Sequence, residues 1–159
     1  MPWKPELDAL VGARHGGQLS SILARLQDLA GRHPQVAEIH YQLAWTHAIL
    51  DRPQDAVPHY ERSIALGLPP NELSGAYLGL GGCWRELGNL ARSEEVLRSG
   101  AAQFPENSEF RVFLALTLHQ LSRHEEVMQL LLTMLMETSQ DVGLAAYQRE
   151  LRYWLQRRT

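Results

Sequence analysis

Seven histidines and one cysteine are the side chains through which this 159-residue chain could do acid-base, nucleophilic or metal chemistry. His40 and His47 stand seven positions apart, two turns along one helix face, which is too far for two imidazoles on a single helix to share an ion. His119 and His124 straddle a predicted turn at Ser122-Arg123, and His124-Glu125-Glu126 lacks the second histidine of a His-Glu-x-x-His zinc helix. No metal site is expected. Cys83 has no second cysteine, and Arg85, two residues on, projects away from it along a helix, so a buried and inert thiol is expected. The Gly79-x-Gly81-Gly82 cluster lies inside a helical pattern with no preceding strand, and so misses the phosphate-cradling fingerprints. Glu94-Glu95 and Glu125-Glu126 open predicted helices, where carboxylates complement the helix dipole without any catalytic role. With no nucleophile-base pair, metal set or phosphate loop, the chain is not expected to be an enzyme, and it has no catalytic, cofactor-binding or metal-ligating assignment.

Composition narrows the partners. Fifteen basic residues against eighteen acidic ones give a formal charge of −3, which provides no overall field to hold nucleic acid or an anionic membrane. No apolar run approaches the roughly 18 residues needed to cross a bilayer. Met1-Pro2-Trp3-Lys4-Pro5 lacks the charged lead and apolar core of a secretory signal, and a single cysteine suits a reducing compartment, so a cytoplasmic location is expected.

The elements that position these residues follow a period. Tyr77-Leu78-Gly79-Leu80-Gly81-Gly82-Cys83-Trp84, a Leu87-Gly88 break, then Ser93, Leu97, Gly100 and Phe104-Pro105 describe two helices joined by a tight turn. A unit starting at Ser74 is followed 34 residues later by one starting at Ser108, with Leu114-Ala115, Leu118, Leu121-Ser122, Val127 and Leu131 on equivalent places. The preceding unit starts at Ala37, with Leu43-Ala44, His47, Leu50-Asp51, Ala56 and Tyr60, and its three extra residues fit the loop Gly67-Leu68-Pro69-Pro70. A further 34 residues back, Trp3 opens a looser copy with Leu7, Leu10, a His15-Gly16-Gly17 break, Ile22, Leu26, Leu29 and Pro34. Such self-similarity marks a stack of supersecondary units that bury one continuous core.

The period and these small and bulky residues resemble the tetratricopeptide repeat family. The stretches Ala65–Pro70 and Arg111–Leu116 are similar to a group of small bacterial tetratricopeptide proteins. The resemblance implies an all-α superhelical solenoid forming one domain over residues 1–159. It would comprise a degenerate helix pair (3–36), three clear repeats (37–73, 74–107 and 108–140) and a C-terminal capping helix (141–159). His40 and His47 then coincide with bulky core positions. The expected helices run to about Arg14, then Leu19–Arg32, Gln35–Leu50, Pro53 to near Gly67, Glu72–Leu87 with Asn71 as N-cap, Leu90–Gln103, Asn107–Leu121 and His124–Thr138. Pro58 predicts a kink in the fourth. Gly81 is expected to let two helices approach closely, whereas Gly79 and Gly82 point elsewhere on the wheel. A ninth helix, capped by Asp141, carries the stripe Leu144, Tyr147, Leu151, Trp154 and Leu155, with Arg149, Arg152, Arg157 and Arg158 outside it.

In that family the first helix of each hairpin lines a concave surface, and the function implied is binding of a protein or peptide. The resemblance assigns Glu38, Tyr41, Gln42 and Trp45 to this surface from one helix, then Leu78, Gly79, Gly82, Arg85 and Glu86, then Glu109, Val112, Phe113, Leu116 and Gln120. The partner-binding groove is expected at Tyr41, Gln42, Trp45, Leu78, Gly79, Gly82, Arg85, Val112, Phe113 and Leu116. Lysine and asparagine, which clamp a terminal carboxylate in chaperone-tail-binding members, are replaced here by apolar residues, so a peptide or amphipathic helix is the implied ligand. A homodimer formed through the groove or the terminal helix is the alternative, and an enzyme of other chemistry the remaining one. The terminal helix could also fold back and fill the groove with Tyr147 and Trp154.

Overall fold

A computed structural model describes residues 1–157, and Arg158 of the predicted arginine set lies outside them. The chain folds into α1 (Lys4–Ala13), a 3-10 turn at Arg14–Gly16, α2 (Leu19–Arg32), α3 (Ala37–Ile49), α4 (Pro53–Leu66), α5 (Pro70–Glu86), α6 (Leu90–Gln103), α7 (Glu109–Gln120), α8 (His124–Thr138), α9 (Val142–Ala146) and α10 (Gln148–Gln156). It contains no strand among the described residues. From α1 to α8 each helix packs on the next, and α5 also touches α3 and α7, as the first helices of stacked hairpins must.

Three hairpin turns share one backbone solution. Asp51, Gly88 and Ser122 adopt φ of 58°, 80° and 59°. Beyond each, the amide of Arg52, Asn89 or Arg123 donates to the carbonyl five residues back, on His47, Trp84 or Leu118, at 2.9–3.0 Å. This is the Schellman end of a helix, which glycine adopts freely and aspartate or serine only against a steric cost. The repeat is thus conserved in backbone geometry where its residue types differ.

Packing is densest where glycine makes room. Adding a Cβ at Gly81 would put it 2.5 Å from the Leu97 side chain, so α5 and α6 approach as closely as the sequence predicts. Gly79 is also a packing residue, against a different neighbour: the ring of Tyr60 on α4 lies over it. Gly75 receives Tyr41, and Gly100 receives Phe110. Gly82 faces open space. Across the same layers Ser93 donates to the carbonyl of Gly81 at 2.7 Å, which leaves Thr117 to donate to Ser93 at 2.8 Å, so two fully buried hydroxyls join α5, α6 and α7. Glu94 pairs with Arg98 within α6 at 2.8 Å and with Arg123, at the start of α8, at 2.7 Å. Glu94 and Glu95 lie past the first turn of α6, so the ion pairs, and not the dipole, account for Glu94.

Two boundaries differ from expectation. The fifth helix begins at Pro70, which takes the first helical position because it needs no amide hydrogen, and Asn71 is therefore inside the helix and caps nothing. The terminal helix is two short ones broken at Tyr147, although Asp141 does cap the first by accepting from the Leu144 amide at 2.9 Å. α4 runs from Pro53 to Leu66 through Pro58.

Candidate partner-binding groove

α3, α5 and α7 lie side by side and enclose a groove of about 470 Å³. Its lining draws on seven of the ten expected residues: Tyr41 and Trp45 from α3, Leu78, Gly79, Gly82 and Arg85 from α5, and Phe113 from α7. Gly82 leaves its floor bare, because no heavy atom stands within 4 Å of where a Cβ would be. Trp45 is 41% exposed, and one turn further along α3 Ile49 is 44% exposed, so an apolar rim faces solvent instead of the core. Val112 and Leu116 are exposed on α7 beside the groove and outside its lining. Of Gly79 little remains available, since the ring of Tyr60 covers it.

Gln42 is a correction to the expected set. It is buried, with its amide oxygen accepting a hydrogen bond from Arg14. Its side chain turns toward Arg14, which is itself only 3% exposed and has no carboxylate partner among the described residues. The Arg14 guanidinium also lies over the Trp45 ring, 4.6 Å from its centroid, and so props that indole toward the groove by a cation–π contact. Desolvation holds Arg14 below the usual guanidinium range. Sequence reasoning missed Arg14 because it belongs to the degenerate first unit, where the repeat phase is loosest. It missed Ile49 too, although i+4 spacing from Trp45 was the available signal.

Charge is distributed unevenly across the groove. At the N-terminal edge of α5, Glu72 carries a buried carboxylate oxygen with no hydrogen-bond partner. Burial raises its pKa, Glu38 raises it further, and Lys4 opposes both. At the C-terminal edge, Arg85 and Glu86 both line the groove; the Arg85 Nε is buried without an acceptor, and no carboxylate among the described residues pairs with Arg85. Carboxylates at helix starts and a guanidinium at a helix end both follow the helix dipole.

The other chemistry-bearing side chains form no second site. Cys83 is 4% exposed at the groove's floor, and burial pushes its thiol up to about 12, as an unreactive cysteine requires. His40 and His47 are buried, and both stack on His59 of α4, with ring centroids 5.5 and 5.8 Å apart. The Nδ1 atoms of His40 and His59 stand 3.2 Å apart, while His40 Nε2 reaches the Pro34 carbonyl at 3.0 Å. Reading α3 alone could not reveal His59. No cluster of three or more metal-ligating side chains with metal-binding geometry occurs among the described residues. The terminal helix does not enter the groove among the described residues: α10 rests on α8.

Stacked helix hairpins with a concave apolar groove and no catalytic constellation define a solenoid of the protein-binding class. A sequence model of the tetratrico peptide repeat matches residues 37–156, three quarters of the chain, and the chain belongs to that family. A crystal structure of MamA is similar over 98% of this chain and 87% of its own, at 16% identity and a TM-score of 0.75. MamA 41-end from Desulfovibrio magneticus RS-1 is similar over 98% of this chain and 90% of its own, at 19% identity and a TM-score of 0.70. These similarities show the fold alone. No curated protein matches. The family's fold is a non-catalytic scaffold for protein interaction, and no helix among the described residues is long and apolar enough to cross a membrane.

Proposed function

We propose that this protein binds an apolar segment of a partner polypeptide, held as a peptide or amphipathic helix, in the groove between α3, α5 and α7. The observation that carries the reading is the bare floor at Gly82 beneath an exposed Trp45, which leaves room for an inserted side chain. Exposed apolar surface rimmed by polar residues marks an interaction site more often than a folding defect. A single buried thiol suits a reducing compartment, and the cytoplasm is the proposed location.

The test replaces Trp45 and Leu116 together by serine. Leu116, an exposed residue, should change stability by no more than about 0.5 kcal/mol, and Trp45 by about 1–2 kcal/mol because its ring also covers Arg14. Leu43→Ala and Leu114→Ala, at core positions 1% and 3% exposed, should each cost about 2–5 kcal/mol. Proteins retained from native extract by the wild type but not by the serine pair, and shown as synthetic segments to bind it, support the groove. Equal retention by both places the interface elsewhere. The second reading, a homodimer, is favoured by the exposed Val142, Tyr147 and Tyr153 at 83, 64 and 61%. Sedimentation of the wild type against a chain ending at residue 140 decides it: a concentration-dependent dimer lost on truncation supports that reading.

A further inference from the structure

Resting on the groove reading above, we infer that the segment it accepts is α10 of a second copy of this chain, entering with Tyr153 over Gly82 while Arg149 and Arg152 meet carboxylates at the groove's rim. Carboxylates predominate among the charges there. Glu72, whose pKa burial and then Glu38 raise, stands near Glu38 at the N-terminal edge with one oxygen buried and without a hydrogen-bond partner. Lys4, which faces this pair from α1, already donates to Asp8. At the other edge Arg85 and Glu86 both line the groove and offset each other, while Arg14, 3% exposed behind Trp45, is too deep to meet a ligand. α10 has the opposite character. Arg149, Arg152, Tyr153 and Gln156 recur at i, i+3, i+4 and i+7 and so share one face, and all four are exposed. Glu150 lies about 100° round the helix from Arg149, outside that face. The opposite stripe of Leu151, Trp154 and Leu155 is half-buried, and α10 rests on α8. The basic face is therefore offered by a helix that is already folded, which spares the ordering cost of binding. A tyrosine ring, apolar in its body and polar at its tip, suits a floor left bare at Gly82 beneath an exposed indole. Arginines beside it can meet carboxylates in paired hydrogen bonds. Both halves of the match lie on one chain as different surfaces, which is what a heterologous contact between copies requires.

Sedimentation velocity of the full chain across a concentration series provides the test. The wild type should self-associate, and less so as salt rises. One variant reverses the rim (Glu38→Lys with Glu86→Lys) and another reverses the helix (Arg149→Glu with Arg152→Glu). Each alone should weaken self-association at least about tenfold, because like charges then face each other. Mixing the two should restore it, since the basic helix of one meets the acidic rim of the other and the reversed pair is again complementary. That rescue also shows that both variants are folded. Tyr153→Ser, at an exposed position, should weaken association without changing thermal unfolding. Association that survives either reversal, or that mixing does not restore, overturns the contact. A wild type that stays monomeric overturns the second copy as occupant. If that monomer still retains extract proteins through Trp45 and Leu116, the groove reading stands, and if it does not, both fall.

Discussion

The middle of the solenoid and its carboxyl end contain similar apolar stripes and bury them very differently. In α5 and α6, glycines receive a tyrosine from a preceding helix or a leucine or phenylalanine from the following one, and Leu97 and Phe110 are fully buried. α8 is as long and as apolar, yet only Met136 is buried on it, while Met128 and Leu135 are 48 and 41% exposed. α9 and α10 bury nothing. A central hairpin has a neighbour on each side, whereas the terminal one has a neighbour on one side and two short helices on the other. In a one-dimensional stack, stability is set by interfaces, so it should fall toward the carboxyl end.

The largest test of that gradient compares one residue from each region. Phe110→Ala removes a ring that fills the space over Gly100 and should cost about 3–5 kcal/mol, read from urea unfolding. Leu151→Ala, on the half-exposed stripe of α10, should cost under about 1 kcal/mol. Comparable losses would break the comparison and show the terminal helices to be as tightly coupled as the middle.

A smaller effect separates glycines that pack from one that does not. Gly100→Ala drives a methyl into the Phe110 ring, which is wholly buried and stacked on Phe104 at 6.2 Å and cannot give way. A net loss of about 1–2 kcal/mol is expected, after the roughly 1 kcal/mol that alanine gains over glycine in a helix. Gly82→Ala meets no neighbour and should stabilise by up to about 1 kcal/mol. Thermal unfolding of the two variants should therefore shift in opposite directions.

The smallest effect sharpens the comparison through protonation, because the histidine cluster lies only in α3 and α4. Burial, then His40 and His47, holds His59 down to about 4, and burial likewise lowers His47, with Asp55 opposing. The unfolded chain takes up these protons first, at its ordinary value near 6.5. Stability is therefore full above about pH 6.5 and falls as the pH drops through the window toward about 4. Lowering the pH from about 7 to about 6 should reduce the urea midpoint slightly, and less so in His59→Gln. Hydrogen exchange should quicken in α3 and α4 before it changes elsewhere.

Much of the architecture was legible in the residues. The 34-residue period, the Leu-Gly and Leu-Ser breaks and the apolar spacing placed α2, α6 and α8 at the bounds observed, because those helices start after sharp turns and α2 and α6 end just before a proline. The face of α5 that carries Leu78, Gly82 and Arg85 followed from helical spacing, since spacing assigns sides of a helix. Which neighbour meets which side is another matter. Gly79 was legible as pointing away from Gly81, but Tyr60 on α4 decided that it too is a packing site. Gln42 stood one residue from Tyr41 and three from Trp45, and only the buried Arg14 decided that it turns inward. His59 joined His40 and His47 through contact between two helices, and the stripe from Leu144 to Leu155 divides into two helices at Tyr147. Local pattern encodes what one helix must do for itself. Burial, pairing and charge are properties of the interface, and they exist only when the second surface arrives.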